Sequence, residues 1–234
     1  MVSLRPGVAG EARGIVRIAT RWLAAMVFVQ AACAFGEDAL DQWLVRQSGL
    51  RAWTAEFKQT RSLAVLKEPL IASGRVWFAE PNRFRWELGQ PAQTLAIRGA
   101  NDLLVLYPRL KRAERISLRA QRGPLREALA LLETGFPRNR AEITERFNIR
   151  SLTPLEEGRW RLALQPRSAE ARRFMESVTL DFAVAEPGPR STELRFADGT
   201  VLRNDFTRPQ ANPELAGDWF ATDIPADYKS ATIP

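Results

Sequence analysis

The clearest indication of the fold is the stretch Gly74-Arg-Val-Trp-Phe-Ala-Glu-Pro-Asn-Arg-Phe-Arg-Trp-Glu-Leu88. Apolar and charged residues alternate strictly in its second half, which places three large apolar side chains on one face: Phe84, Trp86 and Leu88. This period of two predicts a strand of an antiparallel sheet with one covered and one solvated face. Pro81-Asn82 predicts the turn before this strand, and Ser73-Gly74 is interpreted as a turn or bulge before the preceding one.

Short runs of the same kind continue on both sides and predict about nine to eleven strands. Asp198-Gly199 between two such runs predicts a tight hairpin. Helical periodicity predicts an amphipathic helix at 38–50, a second helix at 123–135 and a short helical turn at 140–147. Because the helices are too few to accompany every strand, we expect a mainly β protein, either a barrel or a strongly curved antiparallel sheet. The predicted strands are 53–57, 75–80, 83–88, 94–97, 103–107, 113–118, 147–152, 160–165, 177–184, 192–196 and 201–206, with a last short one near 219–221.

The composition excludes several classes of function. The chain of 234 residues contains no His, so a Ser-His-Asp triad, a Cys-His pair and every His-containing metal site are ruled out. No motif predicts a cofactor or a metal site. The net charge is +7, but the Arg residues are spread along the strands and do not form a basic patch with interleaved aromatics, so we expect no nucleic-acid partner.

The first 36 residues have the pattern of a secretory signal peptide. Four Arg precede the apolar run 22–29, and Ala32-Cys-Ala34 offers a small-residue cleavage site. We therefore expect residues 1–36 to be removed and residues 37–234 to form one periplasmic domain, whose net charge falls from +7 to +4 with the loss of four Arg and one Glu. The alternatives are a short membrane anchor, or a lipoprotein signal in which Cys33 is acylated.

Several segments resemble the LolA-type outer-membrane lipoprotein carriers. The resemblance covers most of residues 38–228 in the same order. It is carried by Phe57-Lys-Gln59, by the stretch from Gly74 to Trp86, and by Gln90-Pro91, Leu103–Pro108, Leu164-Gln-Pro166, Asp198-Gly199 and Phe220…Pro225. The element Pro81-Asn-Arg-Phe-Arg-Trp86 is the most specific of these pieces.

The resemblance implies an incomplete, strongly curved antiparallel β-barrel, a half-barrel covered by a few α-helices. Such proteins are non-enzymatic periplasmic monomers that hold lipoprotein acyl chains in an apolar hollow. They receive the cargo from an inner-membrane ABC transporter and deliver it to an outer-membrane acceptor. From the strand alternation and this resemblance we expect an apolar cavity whose lining combines strand residues with the underside of a lid helix: Val76, Phe78, Phe84, Trp86, Trp53, Phe57, Leu95, Ile97, Leu125, Leu129 and Leu132.

The chain departs from the family pattern at Glu80, where similar proteins have Lys or Arg before the Pro of the turn. Glu80 could latch the lid by pairing with an Arg, or it could be a solvated strand end. The Asp-Gly-Lys-type turn before the strand at 103 is also altered, to Arg98-Gly-Ala-Asn-Asp102. Three alternatives therefore stay open: cargo other than lipoproteins, a lipid-sensing regulatory module of the same fold, and a carboxylate-dependent hydrolase. The apolar set could also be a solid core.

Overall fold

A computed structural model describes residues 39–99, 101–118 and 137–233. The predicted signal peptide with Cys33, the predicted helix at 123–135 and the three lid leucines, Leu125, Leu129 and Leu132, lie outside the described residues. The division into residues 1–36 and 37–234 therefore stays a prediction.

Twelve strands form a single open sheet, which confirms the predicted half-barrel fold with a few helices. The order across the sheet is β12-β6-β5-β4-β3-β2-β1-β11-β10-β9-β8-β7. All neighbouring strands are antiparallel except β12, which runs parallel to β6. The strands are β1 Ala52–Ser62, β2 Leu70–Ala79, β3 Arg83–Leu88, β4 Thr94–Arg98, β5 Asp102–Tyr107, β6 Arg112–Ser117, β7 Phe147–Pro154, β8 Arg159–Pro166, β9 Met175–Ala183, β10 Ser191–Phe196, β11 Val201–Ala211 and β12 Lys229–Ile233.

Three α-helices accompany the sheet in the described part of the chain: α1 at 39–47, α2 at Arg140–Arg146 and α3 at Ala169–Arg172. The apolar stripe of α1 is buried against β7, β8 and β9, where Trp43 stacks on Phe182 with ring centroids 4.6 Å apart. This packing stabilises α1, because a helix of this length is marginal by itself. None of the helices described is long and apolar enough to cross a membrane.

The strand register separates the sheet into two faces, since directly opposed residues in antiparallel pairs point to the same side. The inner face carries Phe57, Val76 and Phe84, and α1 covers the part of it that β7, β8 and β9 form. The outer face carries the alternating residues, such as Trp77 and Leu104.

The C-terminal segment 212–228 covers the outer face of β2 to β6. Trp219 packs against Trp77 with centroids 5.3 Å apart, and the guanidinium of Arg85 lies 5.3 Å from the Trp219 ring centre. The chain then reaches β12 at Lys229–Ile233. The strand predicted near 219–221 is wrong, because these residues form a turn whose aromatic side chains serve as cover.

The turn or bulge predicted at Ser73-Gly74 is also wrong, since both residues lie within β2 and their pairing with β1 continues without a shift in register. A Cβ at Gly74 would overlap the ring of Phe57 and the carbonyl oxygen of Glu87. Glycine is therefore required by the close approach of an aromatic ring from β1, not by a change of chain direction.

A buried carboxylate joins three strands on the outer face of the other half of the sheet. Asp181 accepts two hydrogen bonds from Arg161, at 2.7 and 2.8 Å, and one from the hydroxyl of Ser191 at 2.9 Å. Burial by itself would raise the pKa of Asp181, but the hydrogen bonds from Arg161 and Ser191 and the nearby Arg203 outweigh it and hold the pKa below its usual value.

This lowered pKa predicts a pH-dependent stability. A carboxyl whose pKa is lower in the folded state stabilises the fold above its unfolded-state pKa of about 3.9, and this contribution is lost as the pH falls through the folded-state pKa. We expect Asp181→Asn to cost about 2 kcal/mol at neutral pH in urea unfolding and to lose less stability than the wild type below about pH 4. Glu157→Gln, at an exposed position, is the control; equal acid sensitivity of the Asp181 variant and the wild type would contradict the assignment.

Candidate functional site

A cleft of about 330 Å³ opens where the end of β2, the end of α1 and the helix α2 meet. Its volume is at the lower end of the range usual for ligand pockets. The lining is divided: Leu50 and Phe78 form an apolar floor, and charged side chains form the rim. The residues that line it are Gln47, Leu50, Phe78, Glu80, Pro81, Asn82, Pro137, Arg138, Glu142, Glu145 and Arg146.

The floor of the cleft continues into the inner face of the sheet. Leu50 and Phe78 belong to one apolar cluster with Trp53, Phe57 and Val76. Trp86 packs against this cluster, with its ring centroid 4.2 Å from that of Phe57. Phe78 therefore connects the cleft to a continuous, largely buried apolar cluster on the inner face. We call this cluster the inner wall and define it as Trp53, Phe57, Val76, Phe78, Phe84 and Trp86.

An ion pair crosses the rim of the cleft between Glu80, which follows β2, and Arg138, which precedes α2. The Arg138 guanidinium lies 2.6 Å from a carboxylate oxygen of Glu80, and both side chains are partly exposed. Arg138 is held in place by the helix cap, because its backbone N–H donates to Glu142 at 2.8 Å while Asn139 accepts from the Glu142 N–H at 2.9 Å. The Asn139 cap, supported by the bond from Arg138 to Glu142, fixes the start of α2 at the rim.

Gln47 is a buried polar side chain at the cleft that the sequence analysis did not single out. Its side-chain oxygen accepts a hydrogen bond from the backbone N–H of Gly188 at 2.7 Å. Its Nε2 has no hydrogen-bond partner among the described residues, although the residue is only 3% exposed. Burying an unpaired donor costs free energy, so an acceptor atom placed against this amide would be favoured.

The structure brings together most of the described residues that the sequence analysis assigned to the cavity. Trp53, Phe57, Val76 and Phe78 form one cluster, and Phe84 lies in a neighbouring one. Trp86 packs against both clusters and links them. Of this set, only Phe78 lines the cleft directly.

Leu95 and Ile97 are not part of the inner wall. Leu95 pairs with Glu87 and Ile97 with Arg85, so both point to the outer face. There Leu95, like Ile224 and Tyr228, packs against the cluster of Leu104, Leu106 and Ala113. The placement predicted for these two residues is therefore corrected. Ala96, opposite Trp86, is the β4 residue on the inner face.

The sequence analysis missed four further residues at the site. Leu50 and Gln47 lie just before β1, and Arg138 supplies the cation of the rim. Phe206 of β11 packs edge-on against Trp53 with centroids 5.3 Å apart. The alternation in β11 could have indicated Phe206, but the position of Arg138 depends on how α2 docks on the sheet.

A match to a protein-family model identifies the family of this chain. Residues 48–223 match the model described as outer membrane lipoprotein carrier protein LolA. The chain belongs to this family. The resemblance deduced from the sequence motifs is thereby confirmed, and the LolA family is one of lipoprotein carriers.

Individual relatives agree with the LolA assignment and show how far this member has diverged. A protein from Xanthomonas oryzae pv. oryzae (strain MAFF 311018), named outer-membrane lipoprotein carrier protein, is 26% identical over 200 residues, which cover 85% of this chain and 88% of that protein. A protein of the same name from Bordetella avium (strain 197N) is 25% identical over 191 residues, with 82% and 86% covered.

A solved structure supports the fold. The crystal structure of an uncharacterized conserved protein from Thermus thermophilus has a TM-score of 0.50 and 12% sequence identity to this chain. The match covers 84% of this chain and 98% of that one. The half-barrel fold is thus maintained at an identity too low to indicate a shared function.

Proposed function

We propose that this protein is a periplasmic carrier that binds the acyl chains of lipoproteins reversibly in the inner wall and ferries them from the inner to the outer membrane. The observation that carries the proposal is the continuity between the apolar floor of the cleft and the aromatic inner wall, in a chain of the LolA family. The action is binding without covalent chemistry. The protein acts as a monomer. Its partners are the lipoprotein cargo, an inner-membrane ABC transporter and an outer-membrane acceptor.

The chemistry of the inner wall suits hydrocarbon cargo. Each methylene that leaves water for an apolar contact gains about 0.8 kcal/mol. Trp86 and Leu88 at the border of the cluster are only partly buried, so they can shift to admit a chain. Because the wall is packed against itself in this structure, cargo has to displace side-chain contacts, and this cost keeps binding weak enough for release.

The polar groups at the cleft suit the head of an acylated cargo. Gln47 Nε2 is the donor that would hydrogen-bond an ester or amide carbonyl where the acyl chain joins its head group. The charged rim would remain in contact with water and with the polypeptide part of a lipoprotein. An apolar floor below a polar rim therefore orients the cargo with its tail inward.

A synthetic tripalmitoylated lipopeptide tests this proposal. We expect saturable 1:1 binding by calorimetry or native mass spectrometry, with no binding of the same peptide without its acyl chains. Equal retention of acylated and unacylated peptide, or no uptake of either, would show that the inner wall is not an acyl site. Transfer to outer-membrane vesicles in the presence of an acceptor tests the ferrying step separately.

We propose that the pair Glu80–Arg138 acts as the latch of the cleft. In Arg138→Glu, the new carboxylate joins Glu80, Glu142 and Glu145 at the rim, so four carboxylates repel one another, the cleft opens more often and the lipopeptide leaves faster. Since a partly exposed ion pair contributes about 0.5–1 kcal/mol, the expected increase in the dissociation rate is about two- to fivefold.

The double variant Glu80→Arg/Arg138→Glu restores the pair with reversed polarity and is expected to return the rate to near the wild-type value. Arg195→Glu, at an exposed ion pair on β10, is the matched control and leaves the rate unchanged. A double variant that is no slower than Arg138→Glu would exclude the latch.

A further inference from the structure

The connection between β1 and β2, together with the first two residues of β2, carries an unusual concentration of exposed apolar side chains. Val65 is 89% exposed, Leu66 45%, Leu70 52% and Ile71 58%. Among the described residues, the other large apolar side chains with comparable exposure, Val45, Leu110 and Phe174, are far apart in the sequence. We call residues 63–71 the apolar tip.

Such a tip is not explained by turn chemistry. Hairpin turns are normally built from polar residues and glycine, as in the neighbouring hairpin of β10 and β11, which turns at Asp198-Gly199. A Cβ at Gly199 would lie 3.5 Å from the Cβ of Ala64, so the two turns sit side by side. Both turns are exposed to the same solvent, yet only one of them is polar. Exposed apolar residues that are close together indicate a binding surface, so we expect the apolar tip to have a partner.

The form of the tip fits a lipid surface. Every residue from 64 to 71 is exposed, so the tip protrudes from the sheet, and the headgroup–acyl boundary of a bilayer accepts an apolar protrusion without a matching groove. Two cations lie at the tip, Arg61 and Lys67, and they are balanced by the carboxylates of Glu68 and Asp198. The stem of Lys67 can lie along apolar surface while its ammonium reaches the headgroups.

We propose that the apolar tip inserts into the interface of a phospholipid bilayer. The tip follows the last residue of β1, whereas the cleft borders the first, so the two sites are separated by 11 residues of strand, or roughly 35 Å. The protein can therefore rest on a membrane by its tip while the rim of the cleft stays free. This proposal does not depend on the acyl-binding function.

Co-sedimentation with vesicles of phosphatidylethanolamine and phosphatidylglycerol tests the proposal, using the full chain as expressed and processed by the cell and free of lipopeptide. We expect the wild type to sediment with the vesicles and Val65→Glu/Leu66→Glu to bind about tenfold or more weakly, because two side chains no longer leave water on binding. The variant should keep the wild-type melting temperature and lipopeptide affinity, since both side chains are exposed and remote from the cleft.

Val45→Glu and Leu110→Glu are the matched controls, at positions 72% and 71% exposed but isolated. They are expected to bind vesicles within about twofold of the wild type, since single apolar residues on a surface need no partner. No sedimentation of the wild type, full binding by the tip variant, or equal losses in the controls would overturn the proposal.

Discussion

Replacing Trp86 by glutamate is expected to lower the affinity for the acylated lipopeptide at least tenfold. Trp86 lies on the inner wall, packed on Phe57 and only partly buried, so a carboxylate there remains hydrated and repels hydrocarbon. Loss of apolar contact to two methylenes costs about 1.6 kcal/mol, which is more than tenfold in Kd. Calorimetric titration of the folded variant measures the change.

Trp219→Glu is the matched control for this prediction. Trp219 is likewise a partly buried tryptophan in contact with another aromatic ring, but it covers the outer face. It is expected to lower the melting temperature by a similar amount and to leave the lipopeptide affinity within about twofold of the wild type. Equal losses of affinity in both variants would indicate a general effect of destabilisation and remove the inner wall from the account.

Substituting Gly74 by valine is expected to destabilise the fold by about 3 kcal/mol or more, as measured by urea unfolding. Any Cβ at this position overlaps the Phe57 ring and the Glu87 carbonyl oxygen, so either the ring or the pairing of β2 with β3 has to shift. The variant should also bind lipopeptide poorly, because Phe57 supports the position of Trp86.

Gly217→Ala is the control for this substitution, since a Cβ there meets no atom of the described residues within 4 Å. It is expected to change the free energy of unfolding by less than about 0.5 kcal/mol. A Gly74 variant as stable as this control would show that β2 can hold a side chain at that position, and the reason given for the glycine would be wrong.

The period-two pattern was sufficient to predict the sheet and most of the inner wall. In β3 the charged residues Arg85 and Glu87 alternate with the apolar ones and show which side chains share a face, and the register with β2 follows the same parity. The short helical turn predicted at 140–147 is likewise present as α2. These features depend on the order of residues within one short segment, so they can be predicted from the sequence alone.

The pattern failed where both faces of a strand are covered. β4 has Leu95 and Ile97 on one side and the small Ala96 on the other, so the larger residues suggested the inner face. The true reason for their size is the C-terminal segment, whose Ile224 and Tyr228 lie over the outer face more than 100 residues later in the chain. Gly74 was misinterpreted for a similar reason, since the ring of Phe57 that requires it comes from another strand.

The cleft itself could not be predicted from the sequence. It joins the end of β2, the end of α1 and the cap of α2, which are far apart in the chain. The carboxylate at Glu80 was noticed as a departure from the family pattern, but its partner Arg138 became identifiable only from the docking of α2.

The most direct test of the acyl-binding wall is photo-crosslinking with a lipopeptide that carries a diazirine near the end of one acyl chain, followed by mass spectrometric mapping of the labelled residues. The account predicts labelling at Phe78, Val76 and Trp86 on the inner face. It predicts no labelling at Trp77, whose side chain lies on the outer face of β2, or at Trp219, which packs over that outer face. Labelling confined to the outer face or to the apolar tip would contradict it.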